Sequence, residues 1–252
     1  QIGARADDPD QIAEVVGHAL TFGKQHPYGE VASEETAARM GRADVEGHYH
    51  RFFQPGSGYL VLVGDINEEE GRTLAEATLG AWTGHALPAE NGTNGNGVMP
   101  VPQAGEKRVA FVDRTGSEQS VIKVVFPVDL KPNDPMALHA QVLNTILGGG
   151  VFNARLMQNL REDKGYTYGA YSSIESDRWG GNFSAGCSVR NDVTEDAVSQ
   201  IMKEMTGIRE APVKADELAL AKSYMAGSFA RSLEDPRTVA RFALNTFLYG
   251  LP

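Results

Sequence analysis

Residues 148–171 form the stretch that most restricts how this chain can fold. Three glycines open it, and roughly three turns of helical pattern follow, ending at Arg161. A Lys-Gly pair at Gly165 then stops the helix, and an aromatic strand pattern begins at Tyr166. Arg161 and Tyr168 are seven residues apart across this corner, so their guanidinium and phenol groups can converge on one point. Two such donors suit a peptide carbonyl or its oxyanion.

Helical and strand patterns alternate along the rest of the chain. Helices are predicted over 9–23, from 33, over 44–53, 67–82 and 134–147, and from 194, 215 and 235. Strands are predicted at 59–64, 108–113, 120–128, 166–174 and 182–189. The last two strands are expected to form a hairpin. Asp8, Asp44 and Asn67 are expected to cap the helices that they precede.

Charge and cysteine content exclude several classes of function. The chain has 252 residues and a net charge of −10, so no basic stripe is available to neutralise the phosphates of a nucleic acid. Cys187 is the only cysteine, which excludes a disulfide within the chain and a cysteine-based zinc site. Its strand-like surroundings favour a buried, unreactive thiol. No apolar run approaches the length of a membrane span.

The glycine turn and the serines do not support two other kinds of site. A phosphate cradle needs glycines between a strand and a helix, or a lysine of the P-loop type, whereas these glycines follow a helix. A helix end with close backbone approach explains them better. Ser120, Ser172 and Ser173 lack the Gly-x-Ser-x-Gly setting of a serine hydrolase.

Further motifs accompany the 148–171 stretch. They are His26-Pro-Tyr-Gly, Arg51-Phe-Phe-x-Pro at a helix end, Leu60-Val-Leu-Val-Gly-Asp65, Phe152-Asn-x-Arg-Leu and Leu160-Arg-Glu. Together with the arginine-tyrosine pair, these motifs resemble the insulinase/pitrilysin family of zinc peptidases, which includes the mitochondrial processing peptidase. The first three motifs look like the end of the family's first repeat, and residues 108–252 look like most of its second repeat.

The resemblance implies an α+β fold with two related sheet-plus-helix units of the insulinase/processing-peptidase type, a metallohydrolase-like architecture. Residues 1–83 are expected to be the C-terminal part of the first repeat, and residues 107–252 the second, inactive-type repeat. Residues 84–106, rich in Gly, Asn, Pro and Ala, are expected to be a flexible linker between them. Both units lack parts of the family's repeats, so we expect the chain to be an internal piece of a longer protein.

Active members of this family hold zinc with H-x-x-E-H on a helix and a downstream glutamate. Two histidines then share one helical face, and the glutamate between them activates water. None of the six histidines belongs to such a motif; His48 and His50 are only two apart, which points them in different directions. The family's spacing puts the downstream ligand at or near Gln1, a poor zinc ligand. We therefore expect no metal site and no cofactor in this chain, with zinc in a partner subunit or an upstream region.

The resemblance implies a role in substrate binding for Arg161 and Tyr168, because the family's pair at this spacing touches the substrate backbone near the scissile bond. Both side chains are expected to face a cleft between the two repeats. There they would bind and stabilise the carbonyl of an extended peptide that is added as a strand to the sheet edge of the zinc-bearing partner. The structural alternative is a basic residue at a helix end and a tyrosine that packs in the sheet.

Two explanations account for the pair without a metal motif. In the first, the chain is a zinc-less subunit that pairs with a zinc-bearing family subunit as a heterodimer, or with a second copy. In the second, H-x-x-E-H lies upstream in a complete zinc metalloendopeptidase. A rival of a different class is a structural or assembly subunit, like the core proteins of a respiratory complex. Gln1 favours the first explanation. The peptide substrate, the activity and the bacterial compartment, periplasm or cytoplasm, stay open.

Overall fold

The computed structural model describes residues 2–84, 101–103, 105–150 and 152–251. The predicted zinc-ligand position at Gln1 and most of the predicted 84–106 linker lie outside these residues. The helices are α1 Ile2–Arg5, α2 Pro9–Phe22, α3 Glu34–Arg39, α4 Arg42–Phe52, α5 Glu68–Leu79, α6 Ala137–Asn144, α7 Arg155–Met157, α8 Thr194–Glu210, α9 Ala215–Ser232 and α10 Pro236–Tyr249. The strands are β1 Gln119–Val128, β2 Ala170–Asp177 and β3 Gly180–Arg190.

The chain folds into two compact units, each made of two separate stretches of sequence. The first unit contains Gln1–Val31 and Pro100–Ser228, and the second contains Ala32–Met99 and Phe229–Pro252. These units are defined by how densely the residues contact one another. The expected boundary at 84–106 separates two family repeats, which is a different kind of division, and it stays a prediction.

The first unit is built on an antiparallel sheet with the strand order β1-β3-β2. Strands β2 and β3 form a hairpin whose turn is Arg178 and Trp179, which agrees with the predicted hairpin. Successive side chains alternate between the two faces of the sheet. Ala185 of the central strand lies opposite Val124 and Ser172, and these three positions belong to the face that α6, α7 and α8 cover.

The hydrophobic core lies between this sheet face and the helices. Leu156 and Leu160, four residues apart on the helical segment that starts with α7, are both completely buried. Ile201 of α8 is also completely buried, and Phe183 of β3 stacks on Phe126 with ring centres 4.8 Å apart. Burying one such leucine stabilises the fold by about 1.5–3 kcal/mol relative to leaving it exposed. The core therefore fixes the segment that carries Arg161.

The opposite sheet face is partly covered by α2. Asp8 caps this helix as predicted, since its carboxylate accepts from Asp10 N–H at 2.9 Å. Gly17 faces β1, where an added Cβ would lie 3.5 Å from the Val125 side chain. After α2, the Tyr28 hydroxyl donates to the Asp177 carboxylate at the end of β2. The His-Pro-Tyr-Gly loop is thereby fastened to the β2–β3 hairpin.

The second unit contains α3, α4, α5 and α10. Ser33 and Asn67 cap α3 and α5 with reciprocal side-chain and backbone hydrogen bonds. The Asp44 prediction is wrong: α4 begins at Arg42 after Gly41, and the Asp44 carboxylate accepts from the Gly41 N–H at 2.8 Å from inside the first turn.

The expected α+β fold is confirmed, but two predicted strands are absent from the described residues. Residues 59–64 and 108–113 have apolar strand-like sequences, yet neither is paired in a β-ladder. Val109 and Phe111 are 96% and 87% exposed. A strand needs a partner for its N–H and C=O groups, and no described segment supplies one. Apolar pattern alone therefore overpredicts strands here.

Candidate functional site

The first glycine of the 148–171 stretch packs directly against β2. A Cβ atom on Gly148 would lie 2.5 Å from the Ser172 backbone nitrogen and 2.9 Å from Leu156 Cδ1, which is too close for any side chain. Asn144 fastens the same contact. Its Nδ2 donates to the Ser172 carbonyl at 3.2 Å, and its Oδ1 accepts from the Ser172 hydroxyl at 2.7 Å. The predicted role of the glycines, a helix end with close backbone approach, is confirmed.

Both helical segments that lead to the corner end in π-type turns. These are Thr145–Gly149 after α6 and Gln158–Asp163 after α7. The segment is helical as predicted and continues two residues past Arg161 to Asp163, but within it only Arg155–Met157 have α-helical hydrogen bonding. π turns are rare and are frequently found at functional sites. Arg161 lies in the second of them.

Gly165 reverses the chain between the π turn and the sheet. Its φ of 63° is left-handed, which glycine adopts without steric cost. Three backbone N–H groups donate across the reversal and close it. Lys164 donates to the Asn159 carbonyl at 3.0 Å, Gly165 to the Arg161 carbonyl at 3.1 Å and Tyr166 to the Leu160 carbonyl at 2.9 Å. The strand begins only at Ala170, so the prediction of a strand from Tyr166 is also wrong. Residues 164–169 are thus a structured corner.

Arg161 lies at the surface beside an aromatic ring. Its guanidinium carbon is 5.1 Å from the centre of the Phe152 ring, a cation–π distance. Its Nε is 3.5 Å from the Glu162 carboxylate, and such an exposed ion pair contributes little. No hydrogen bond between described residues uses the guanidinium donors. They are available to an external acceptor.

Tyr168 stands at the apex of a tight turn just before β2. The Thr167 hydroxyl donates to the Gly169 carbonyl at 2.9 Å and accepts from the Gly169 N–H at 3.2 Å, which closes the turn around the tyrosine. Tyr168 is 94% exposed. Its hydroxyl makes no hydrogen bond to any described residue. The structural alternative, a tyrosine that packs in the sheet, does not hold.

The structure places Arg161 and Tyr168 on the two sides of one corner, separated by Gly165, and joins them by no direct contact among the described residues. Both present unused hydrogen-bond donors to the outside. Whether they bind a peptide carbonyl together stays a prediction.

A polar ladder on α8 holds this corner, and sequence reasoning missed it. Its members are one helical turn apart and are here called the α8 ladder: Asp196, Gln200 and Glu204. Asp196 Oδ2 accepts from Lys164 Nζ at 3.1 Å and from the Tyr166 hydroxyl at 2.8 Å. The spacing of the ladder is visible in the sequence. The partners of the ladder cannot be read from that spacing, because they lie thirty or more residues upstream.

The other end of the α8 ladder holds the π turn. Asn159, a buried residue of that turn, donates through Nδ2 to Gln200 Oε1 at 3.1 Å and to Glu204 Oε1 at 2.6 Å. Gln200 Nε2 in turn donates to Asp196 Oδ1 at 3.0 Å. One chain of hydrogen bonds therefore links Asn159, before Arg161, with Tyr166, before Tyr168.

The charges of the network are set by these contacts. Hydrogen bonds from Gln200, Tyr166 and Lys164 lower the pKa of Asp196 to about 2, so its carboxylate is ionised at neutral pH. The hydrogen bond to Asp196 raises the pKa of both Lys164 and Tyr166. The ammonium also lies 5.6 Å from the centre of the Tyr166 ring. The ionised carboxylate thus accepts from both sides of Gly165.

A second ion pair anchors the start of the same segment. Arg155, at the first position of α7, donates to both carboxylate oxygens of Glu217 in α9, at 2.6 and 2.8 Å. This planar two-point geometry is the strongest form of an arginine–carboxylate contact. The segment is therefore held by α9 at its start and by α8 at its end.

The described side chains do not fit a zinc ion. No three His, Cys, Asp or Glu side chains in the described ranges lie close enough together to hold a metal. His26 is buried, and its Nδ1 accepts from the Tyr28 N–H at 3.1 Å. His48 packs on Phe52, with ring centres 4.6 Å apart. His85 and Gln1 lie outside the described residues.

Comparison with known proteins identifies the family. The Peptidase M16 inactive domain matches residues 39–225, and the chain belongs to this family of peptidase-like domains. An uncharacterized zinc protease of Streptomyces coelicolor is 30% identical over 244 residues, which cover 93% of this chain and 50% of that protein. One from Mycobacterium tuberculosis is 25% identical, covering 99% of this chain and 56% of the relative. The chain thus spans about half the length of the curated relatives it matches.

Solved structures show the same fold. The M16 inactive domain protein of Pseudomonas fluorescens has a TM-score of 0.82 at 22% identity, and the match covers all of this chain and 58% of that one. A protease of Helicobacter pylori has a TM-score of 0.83 at 16% identity, covering 98% and 58%. The resemblance to the insulinase-type peptidases is therefore confirmed, together with the inactive-type domain. No helix among the described residues has the length and apolarity needed to span a bilayer.

Proposed function

We propose that this chain is the peptide-binding, zinc-less half of an insulinase-type metallopeptidase, and that Arg161 and Tyr168 bind the backbone of an extended peptide. The observation that carries the proposal is the contrast between two neighbouring tyrosines. Tyr166 gives its hydroxyl to Asp196, whereas Tyr168 is 94% exposed with its hydroxyl unused by any described residue. A large aromatic side chain with no internal partner, on a corner fixed from both sides, is suited to an external ligand.

The chemistry of the pair suits a carbonyl oxygen. The guanidinium supplies charged donors in a planar fork, and the phenol supplies one neutral donor. As a peptide carbonyl develops negative charge during hydrolysis, such donors become stronger, which stabilises the charged oxygen. Zinc, when held elsewhere, would supply the activated water. This chain would supply the substrate contacts.

The location of the zinc site has two explanations, and both fit the proposal. Relatives about twice as long are named zinc proteases, which supports H-x-x-E-H in another part of a longer chain. A separate zinc-bearing subunit, or a second copy, is the other arrangement. Co-purification of the native protein, with peptide mass mapping, distinguishes a longer chain from a complex. A purely structural subunit is the rival function, and it needs neither donor.

Peptide binding tests the proposal directly. The purified chain is titrated against a fluorescein-labelled library of short unstructured peptides, and binding is followed by fluorescence anisotropy. We expect Arg161→Ala and Tyr168→Phe each to weaken binding by about tenfold or more, because the first removes the charged donors of the guanidinium and the second removes the hydroxyl donor. Tyr224→Phe is the control, since this α9 tyrosine is partly exposed and lies outside the corner. Unchanged affinity in both corner variants would favour the structural subunit.

Zinc content provides a second test. We expect the chain alone to bind no zinc at nanomolar affinity and to cleave no peptide in a chelator-sensitive manner, because no described histidine pair has the required helical spacing. Metal analysis after dialysis and a peptide cleavage assay with and without chelator measure both. Stoichiometric tightly bound zinc would contradict the assignment of a zinc-less half.

A further inference from the structure

We propose that the α8 ladder positions Arg161 and Tyr168 for peptide binding. This inference rests on the proposed function and adds residues that do not touch the peptide. The ladder reaches the corner at both ends, so one face of one helix sets the relative position of the two donors.

The first contact is at the π turn. Asn159 is 8% exposed and lies two residues before Arg161. Its amide is held by Gln200 and Glu204 at 3.1 and 2.6 Å. The Asn159 carbonyl also accepts from the Lys164 N–H at 3.0 Å, so the side chain and the backbone of this residue tie the turn to both α8 and the reversal. Arg161 thus projects from a turn with little freedom to rotate.

The second contact is on the far side of Gly165. Asp196 accepts from Lys164 and Tyr166, which flank the glycine directly. Glycine has the largest backbone freedom of any residue, so the side-chain contacts add restraint to the three backbone hydrogen bonds that close the reversal at Gly165. The carboxylate holds the two neighbours together and limits that freedom. Tyr168 follows Tyr166 by two residues and is closed into its own turn by Thr167.

Gln200 connects the two contacts. Its Oε1 accepts from Asn159 and its Nε2 donates to Asp196, so the amide spans the space between the π turn and the reversal. Hydrogen bonds in such a chain reinforce one another. Groups held in productive geometry before binding lose less entropy when the ligand arrives. The ladder would therefore raise affinity without contacting the peptide.

Two substitutions interrupt the ladder at the corner. Asp196→Asn keeps the shape and removes the charge that accepts from Lys164 and Tyr166. Tyr166→Phe keeps the ring and removes only the hydroxyl, so it tests the proposal even if Asp196→Asn folds poorly. Glu195→Gln is the matched control: it makes the same chemical change in the same turn of α8, at an exposed position beside the ladder.

The experiment is the anisotropy titration of the peptide library, repeated for these variants alone and combined with Tyr168→Phe. We expect Asp196→Asn and Tyr166→Phe to weaken binding by about threefold to tenfold, and Glu195→Gln to stay within about twofold. In the Tyr168→Phe background, the ladder variants should add much less loss, because residues that act through a common partner are not additive. A general structural effect would instead add in full.

The outcomes separate the two proposals. Suppose that Arg161→Ala and Tyr168→Phe weaken binding while Asp196→Asn and Tyr166→Phe bind as the wild type does. The ladder then has no positioning role, and the proposed function stands. If the losses of binding free energy add in full when these variants are combined with Tyr168→Phe, the positioning role of the ladder is overturned as well. If neither Arg161→Ala nor Tyr168→Phe weakens binding, the proposed function fails, and the ladder inference fails with it.

Discussion

Gly148 provides the sharpest test of how the site is built, because its neighbours cannot move aside. The Gly148→Ala variant adds one methyl group at a position where it would lie 2.5 Å from the Ser172 backbone nitrogen and 2.6 Å from the Ser172 hydroxyl. Ser172 belongs to β2, and Asn144 holds both its carbonyl and its hydroxyl. Relief of the clash therefore requires the π turn after α6 to move away from β2.

The magnitude follows from two opposing effects. Forcing an extra methyl group into a packed site costs about 1–3 kcal/mol. Replacing glycine by alanine also restricts the unfolded chain, which stabilises by about 0.4–1 kcal/mol. We expect a net loss of about 1–2 kcal/mol, which for a unit of this size corresponds to a fall in Tm of about 2–8 °C. Peptide affinity should fall as well, since the π turn leads into the Arg161 segment.

The control variant should change the stability in the opposite direction. Gly207 lies inside α8, and an added Cβ there meets no atom within 4 Å. Gly207→Ala should therefore stabilise the protein by up to about 1 kcal/mol, the difference in helix propensity between the two residues.

The assay is thermal and urea unfolding followed by tryptophan fluorescence. The chain has two tryptophans, and a Trp82→Phe background leaves Trp179, next to β2 and β3, as the reporter of the first unit. Wild-type stability in Gly148→Ala would refute the reasoning, as would equal losses in both glycine variants, because the close contact would then have no energetic meaning.

Two further predictions concern charge and reactivity in the same unit. Glu217→Gln should lower the free energy of unfolding by about 1 kcal/mol at neutral pH, since it breaks the two-point contact with Arg155. The hydrogen bond from Arg155 lowers the pKa of Glu217 from its usual 4.5, so the wild type's advantage should be complete above about pH 4.5 and should disappear as pH falls through the lowered pKa. Urea unfolding at several pH values measures this difference. Burial raises the pKa of the Cys187 thiol to about 11, so the native protein should react with a thiol reagent at pH 8 far more slowly than the urea-unfolded chain, and fast native labelling would contradict the burial.

Local signals in the sequence predicted the parts of the fold that depend on local chemistry. Asp8 and Asn67 cap their helices as predicted, because an N-cap needs only a short polar side chain and the N–H groups that follow it. The β2–β3 hairpin was predicted for a similar reason, since its strands are adjacent in sequence. The same reasoning gave a wrong prediction for residues 59–64. Their pattern is that of a strand, but β-sheet pairing depends on a partner that is distant in sequence.

The π turns could not be predicted from local pattern, because each of them contacts a distant part of the chain. In the first turn, Gly148 packs against Ser172, twenty-four residues later; in the second, Asn159 donates to Gln200, forty-one residues later. Helix propensity is decided within a few residues and contains no information about such contacts. The sequence located the helical segments correctly and missed how each one ends.

The candidate site shows the same division between residue type and residue environment. The sequence contains Tyr166 and Tyr168 in one aromatic run, and only the spacing from Arg161 that the family resemblance uses distinguishes them. The structure separates them by environment: Asp196 takes the hydroxyl of Tyr166 at 2.8 Å, while Tyr168 is left 94% exposed. Because the first tyrosine is held from inside, the second can be directed outward without loosening the corner. In the proposed site, Tyr166 would fix the backbone and Tyr168 would contact the peptide.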